Sequence, residues 1–110
     1  MARVTVNLPD YVAEMPEQER DLLIRAGLYE AMHARRQQLA HELAEAEAKV
    51  HEFERKYNRS LTQFEADVLP DVADLDTHND YNDWFYFNEI VARLSSALAG
   101  LDDAATVDPA

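Results

Sequence analysis

Between Pro16 and Pro70 the chain has no proline, and for most of that distance its apolar residues fall three or four apart. Leu22, Ala26, Tyr29, Met32, Leu39, Leu43, Ala46, Val50, Phe53 and Tyr57 trace one heptad seam, interrupted by Arg36. Such spacing puts every member on one side of an α-helix. Pro16 suits the first helical position, and Glu17 and Glu19 follow where negative charge favours a helix N-terminus. Asn58 suits a left-handed cap at the other end. A helix from Pro16 to Tyr57 is roughly 60 Å long at 1.5 Å per residue. That exceeds the width of a small domain, so the helix has to lie against other long helices. Gly27, costing about 1 kcal/mol of helix propensity, and Arg36 mark places for a bend or a close contact.

The flanking segments supply what that helix packs on. Ser60-Leu61-Thr62-Gln63 reads as a capping box that opens a short helix over about 61–68. An acidic connector covers 69–76. Thr77-His78-Asn79-Asp80 reads as a second capping box, opening a final helix whose seam is Trp84, Phe87, Val91, Leu94, Leu98 and Leu101. Gly100 is expected to cap it. At the other end, Val4, Val6 and Leu8 alternate with Arg3, Thr5 and Asn7, the period of a β-strand, stopped by Pro9-Asp10. A lone strand leaves its backbone groups unpaired, so the strand is expected to pair with a second copy or a partner's sheet. The expected fold is mainly α. A long helix and a C-terminal helix form an antiparallel helical hairpin, and one short N-terminal β-strand is paired in a dimer. The chain divides into the strand and long helix over 1–59, an acidic aromatic region over 60–101, and a disordered tail over 102–110.

With 110 residues the chain makes one domain with a modest core. It has no cysteine, which excludes a disulfide framework and a thiolate metal site. No apolar run is long enough to span a membrane, and no signal-peptide pattern opens the chain. These features imply a soluble, cytoplasmic protein. No phosphate loop, nucleophile elbow or zinc-protease spacing is present, so no catalytic residue and no cofactor is assigned. Glu30-Ala31-Met32-His33 has the Glu-x-x-His spacing of di-metal bundles, but such sites need further inward carboxylates and a second motif. No metal is assigned.

The charge is unevenly placed. Of a net −12, residues 60–110 carry −10, with eleven acids and the single base Arg93. Within that half stand Asp80, Tyr81, Asp83, Trp84, Phe85, Tyr86 and Glu89. An acidic surface studded with large aromatics suits docking of a basic protein and opposes contact with nucleic acid or anionic membrane. Those seven residues are the candidate partner-binding set. Trp84 and Phe87 lie on the seam, where core packing is the favoured role. Tyr81, Phe85 and Tyr86 exceed what one seam holds.

Two stretches resemble known families. Arg3-Val4-Thr5-Val6-Asn7-Leu8-Pro9-Asp10, with Asp21-Leu22-Leu23-Ile24-Arg25-Ala26-Gly27-Leu28-Tyr29-Glu30, resembles ribbon-helix-helix proteins. That resemblance implies a dimeric strand whose Arg3, Thr5 and Asn7 read bases in operator DNA. The segment between strand and helix is shorter than that family's first helix, and the first 37 residues carry five bases against six acids. Phe53-Glu54-Arg55-Lys56-Tyr57-Asn58, followed by Ser60 and Phe64-Glu65, resembles small helical prokaryotic antitoxins, with Asn58 where that pattern has Gly. Together the resemblances imply a homodimeric antitoxin that neutralises a basic toxin protein. The alternative from the residues alone is a structural coiled-coil or adaptor subunit that binds neither toxin nor DNA.

Overall fold

The computed structural model describes residues 3–106. Helix α1 spans Asp10–Ala13, α2 Glu17–Tyr57, α3 Leu61–Asp67 and α4 Leu75–Thr106, with a 3-10 turn at Leu69–Asp71. The two long helices run antiparallel. Arg36 of α2 meets Asp102 of α4, and Lys56 of α2 meets Asp80 of α4. The molecule is a rod of 68 × 25 × 24 Å.

Helix α2 is continuous for 41 residues, through both Gly27 and Arg36. A Cβ on Gly27 would meet nothing within 4 Å, so packing within the chain does not demand glycine there. Arg36 has a function that explains its place in an apolar seam: its Nε donates to Asp102 Oδ1 at 2.6 Å. The pair is half exposed and contributes little to stability, but it marks the register of the hairpin. Helix α2 ends as expected at Asn58, which takes the left-handed conformation with φ 52° and ψ 42°. Asparagine tolerates that region better than most residues. Ser60 and Gln63 then form the full capping box, Ser60 Oγ accepting from the Gln63 N–H and Gln63 Oε1 accepting from the Ser60 N–H.

Several expectations are corrected. The N-terminal strand is absent: residues 3–9 have no regular secondary structure, and no strand occurs among the described residues. Strand alternation by itself stabilises nothing. The ladder needs a neighbour, and no other segment among the described residues supplies one. Val4 and Val6 are left 84% and 69% exposed. The strand-paired dimer goes with it. Helix α4 opens earlier than Thr77, because Asp74 and not Thr77 caps it. Asp74 Oδ2 accepts from both the N–H and the hydroxyl of Thr77, at 2.9 and 2.6 Å. Gly100 caps nothing, since α4 runs on to Thr106. The first residues of the expected disordered tail, 102–106, are therefore helical, and 107–110 lie outside the described residues.

The core is small and uneven. Leu39 and Ala46 are buried along the hairpin, and Leu61, Phe64 and Trp84 are buried at its closed end. Toward the start of α2 the picture reverses. Because Asp102 lies opposite Arg36, α4 runs out a few residues later, and every residue from Asp21 to Ala31 is exposed. This overhang extends ~20 Å beyond the hairpin.

Candidate functional site

The acidic aromatic block folds around the closed end of the hairpin and separates there into two kinds of residue. One kind holds the helices together. Trp84 and Phe64 have no exposed surface. Trp84 stacks on Phe53 and Tyr57 at ring separations of 5.9 and 5.8 Å, and Phe64 meets Tyr57 edge-on at 4.9 Å. Three helices, α2, α3 and α4, are thus joined through aromatic contact, the most area-efficient burial for so short a segment. The indole N–H of Trp84 is buried and has no hydrogen-bond acceptor.

Asp80 ties the same junction electrostatically. Its Oδ2 accepts from Lys56 Nζ and from Tyr57 Oη, each at 2.5 Å. The Lys56 ammonium first, and the Tyr57 hydroxyl second, hold the Asp80 carboxyl below the usual carboxylate range. Tyr57 is pushed up, by burial and then by its bond to Asp80. Tyr81 Oη donates to Glu65 Oε2 at 2.8 Å, which raises the phenol and pins α4 to α3. Asp80, Tyr81 and Trp84 are therefore engaged within the chain.

The other kind faces outward. Phe85 is 46% and Tyr86 59% exposed, and Asp83 and Glu89 are exposed beside them. These four do not share one face. At 100° per residue Asp83 and Tyr86, three apart, stand on one flank of α4, and Phe85 and Glu89, four apart, on the other. On the first flank Tyr86 joins Phe87, Ile90 and Leu94 in an open groove of about 800 Å3 between α4 and α2. On the second flank Phe85 packs beside Tyr81 at 6.2 Å, next to Glu65. The connector adds exposed acid. Asp67 lies 3.9 Å from Arg59, while no ion pair among the described residues engages Asp71, Asp76, Asp83 or Glu89.

Two further groups complete the placement. Arg3, Thr5 and Asn7 are exposed in the irregular segment before α1, and the paired ribbon that would present them to a DNA groove is not formed. Glu30 and His33 are exposed on α2, and no group of three His, Cys, Asp or Glu able to hold a metal occurs among the described residues. Nor, among those residues, is any helix long and apolar enough to cross a membrane. What the sequence reading passed over is the overhang, with Leu22, Leu23, Ile24, Leu28 and Tyr29 all at least 41% exposed. The signal was present: three consecutive apolar residues, Leu22-Leu23-Ile24, point 100° apart and no single seam accommodates them. Comparison with protein families, with curated proteins and with solved structures finds no match to this chain.

Proposed function

We propose that this protein is a non-enzymatic binding protein of the antitoxin type, whose acidic aromatic flank captures and neutralises a basic protein in the cytoplasm. The observation that carries the reading is the exposure of Phe85 and Glu89 in a half of the chain that carries −10, where Asp71, Asp83 and Glu89 enter no ion pair among the described residues. A half-exposed aromatic with Glu89 one turn along the helix and Glu65 held by the neighbouring Tyr81 supplies an apolar anchor, and the net negative charge of this half steers a basic partner toward it. Asp80, Tyr81 and Trp84 serve this surface indirectly, by fixing α4 against α2 and α3. Arg3, Thr5 and Asn7 enter no such proposal, since their base-reading role depended on the strand.

A second reading, a structural coiled-coil or adaptor subunit, is favoured by the overhang, which offers an apolar helix to another helix. The two are separated by purification from the native host at low and high salt. The antitoxin reading expects a small basic protein to co-purify at low salt, to be toxic when expressed alone, and to be released by Phe85→Ala with Glu89→Lys while the thermal midpoint stays unchanged. Co-purification only with a non-toxic helical protein, insensitive to these substitutions, supports the adaptor instead.

A further inference from the structure

Two surfaces of this chain are unfilled, and they match each other. The first is the overhang, where Ile24 and Leu28 are 41% and 60% exposed. The second is the open groove between α2 and α4, floored by Phe87, Ile90 and Leu94. They lie on the same line of α2. Ile24 stands three heptads before Glu45, and Leu28 three heptads before Lys49, and both Glu45 and Lys49 line the groove. In a slightly supercoiled helix, positions whole heptads apart share one side. We infer that the groove receives the overhang of a second copy, the two copies exchanging overhangs about a two-fold axis near Arg36.

Charge supports this occupant. From N- to C-terminus the overhang presents Glu17, Arg20, Asp21 and Arg25, in the order minus, plus, minus, plus. In the opposite direction the groove wall presents Arg55, Glu52, Lys49 and Glu45, in the order plus, minus, plus, minus. Antiparallel α2 helices bring these into register sign for sign, with Arg20 opposite Glu52 and Arg25 opposite Glu45. Within one chain Arg20 pairs with Asp21 at 3.9 Å and Lys49 with Glu52 at 3.6 Å. Arg20 is half-buried and the other three side chains are exposed, so exchanging partners costs little.

The long-range field agrees. Most of the unbalanced acid, from Glu65 to Asp83, sits toward the closed end, while Asp102 lies near the axis and is paired there with Arg36. An exchange about Arg36 puts the two closed ends at opposite extremes of the dimer. Their separation is many times the ~8 Å screening length at physiological salt, so two chains of net −12 associate without opposing their acidic closed ends. Each seated overhang is ~20 Å long and ~10 Å wide. Two seatings, counted on both partners, hide on the order of 1,000 Å2, the lower edge for a specific interface. At each end the result is a three-helix bundle of α2, α4 and the partner's α2. This arrangement uses the Tyr86 flank of α4 and leaves the Phe85 flank open, so it stands independently of the antitoxin reading.

Sedimentation with a charge swap and a cross-link tests it. The wild type is expected at twice the 12.6 kDa of one chain. Arg20→Glu alone and Glu52→Arg alone each raise the dissociation constant by about tenfold or more, and the double variant recovers most of the loss. The chain has no cysteine, so Leu28→Cys on one copy and Glu45→Cys on another are oxidised as a mixture, with a mixed disulfide as the expected product. A wild type that sediments as one chain overturns the proposal. So does a dimer indifferent to the charge swap, or one in which Leu28→Cys cross-links only to itself, which would mean that overhang pairs with overhang.

Discussion

The two ends of α2 carry similar apolar sequence and meet different fates. From Leu39 to Tyr57 the apolar stripe is covered by α4 and α3, with Leu39 and Ala46 at 3% exposure. From Leu22 to Tyr29 a comparably apolar stretch is left exposed by the described residues. Heptad spacing is a demand for a partner and does not say where the partner comes from. In the closed end the chain meets the demand itself, because Asn58 and the Ser60 cap turn it back within a few residues and Asp80 clamps the return to Lys56 and Tyr57. The overhang has no such device: α1 is one turn long, and the segment before it forms no regular structure.

The comparison breaks first at the aromatic junction. Trp84→Ala removes the ring that stacks on Phe53 and Tyr57, and is expected to cost about 3–5 kcal/mol in urea unfolding. Leu22→Ser, in the overhang but off the docking stripe, is expected to stay within about 0.5 kcal/mol of wild type. Comparable losses at both positions would erase the distinction between the two ends.

A second difference is sensitivity to acid. Asp80, held down by Lys56 and then Tyr57, and Asp74, held down by its bonds to Thr77, both have folded pKa values below the ordinary range. Such groups stabilise the fold above their unfolded pKa of about 3.9, and that stability is lost as pH falls through the depressed folded values. Both groups act at the closed end. Urea midpoints measured down the acid range should therefore fall, and Asp80→Asn should make the fall shallower.

Smaller effects sharpen the picture. Ser60→Ala breaks the capping box that turns the chain, at a cost of about 1 kcal/mol. Gly100→Ala is expected to raise stability by up to about 1 kcal/mol in thermal unfolding, since helix α4 continues past it and a Cβ there meets nothing within 4 Å.

Much of the fold was legible in the sequence because its signals are local. Proline at 16, asparagine at 58 and the Ser60-Gln63 pair set boundaries that depend on a few neighbouring backbone groups. The strand was misread because period-two alternation is also local, whereas a ladder is not. The start of α4 was misplaced because Asp74 and Thr77 both suit an N-cap, and only the bonds to Asp74 Oδ2 decide between them. The candidate site was legible as a cluster. Its division was not, because deciding that Trp84 is enclosed while Phe85 and Tyr86 are open requires knowing where α2 and α3 lie.

The overhang is left uncovered by the described residues of its own chain, and the proposed dimer covers it with a second copy. Amide hydrogen exchange across a wide dilution series tests it most directly, since protection reports local opening and mass action makes the dimer concentration-dependent. Amides of Arg20–Leu28 are expected to gain protection as concentration rises, while those of Leu43–Tyr57 stay protected throughout. Protection in Arg20–Leu28 that matches Leu43–Tyr57 at every dilution, or that never rises, would contradict it.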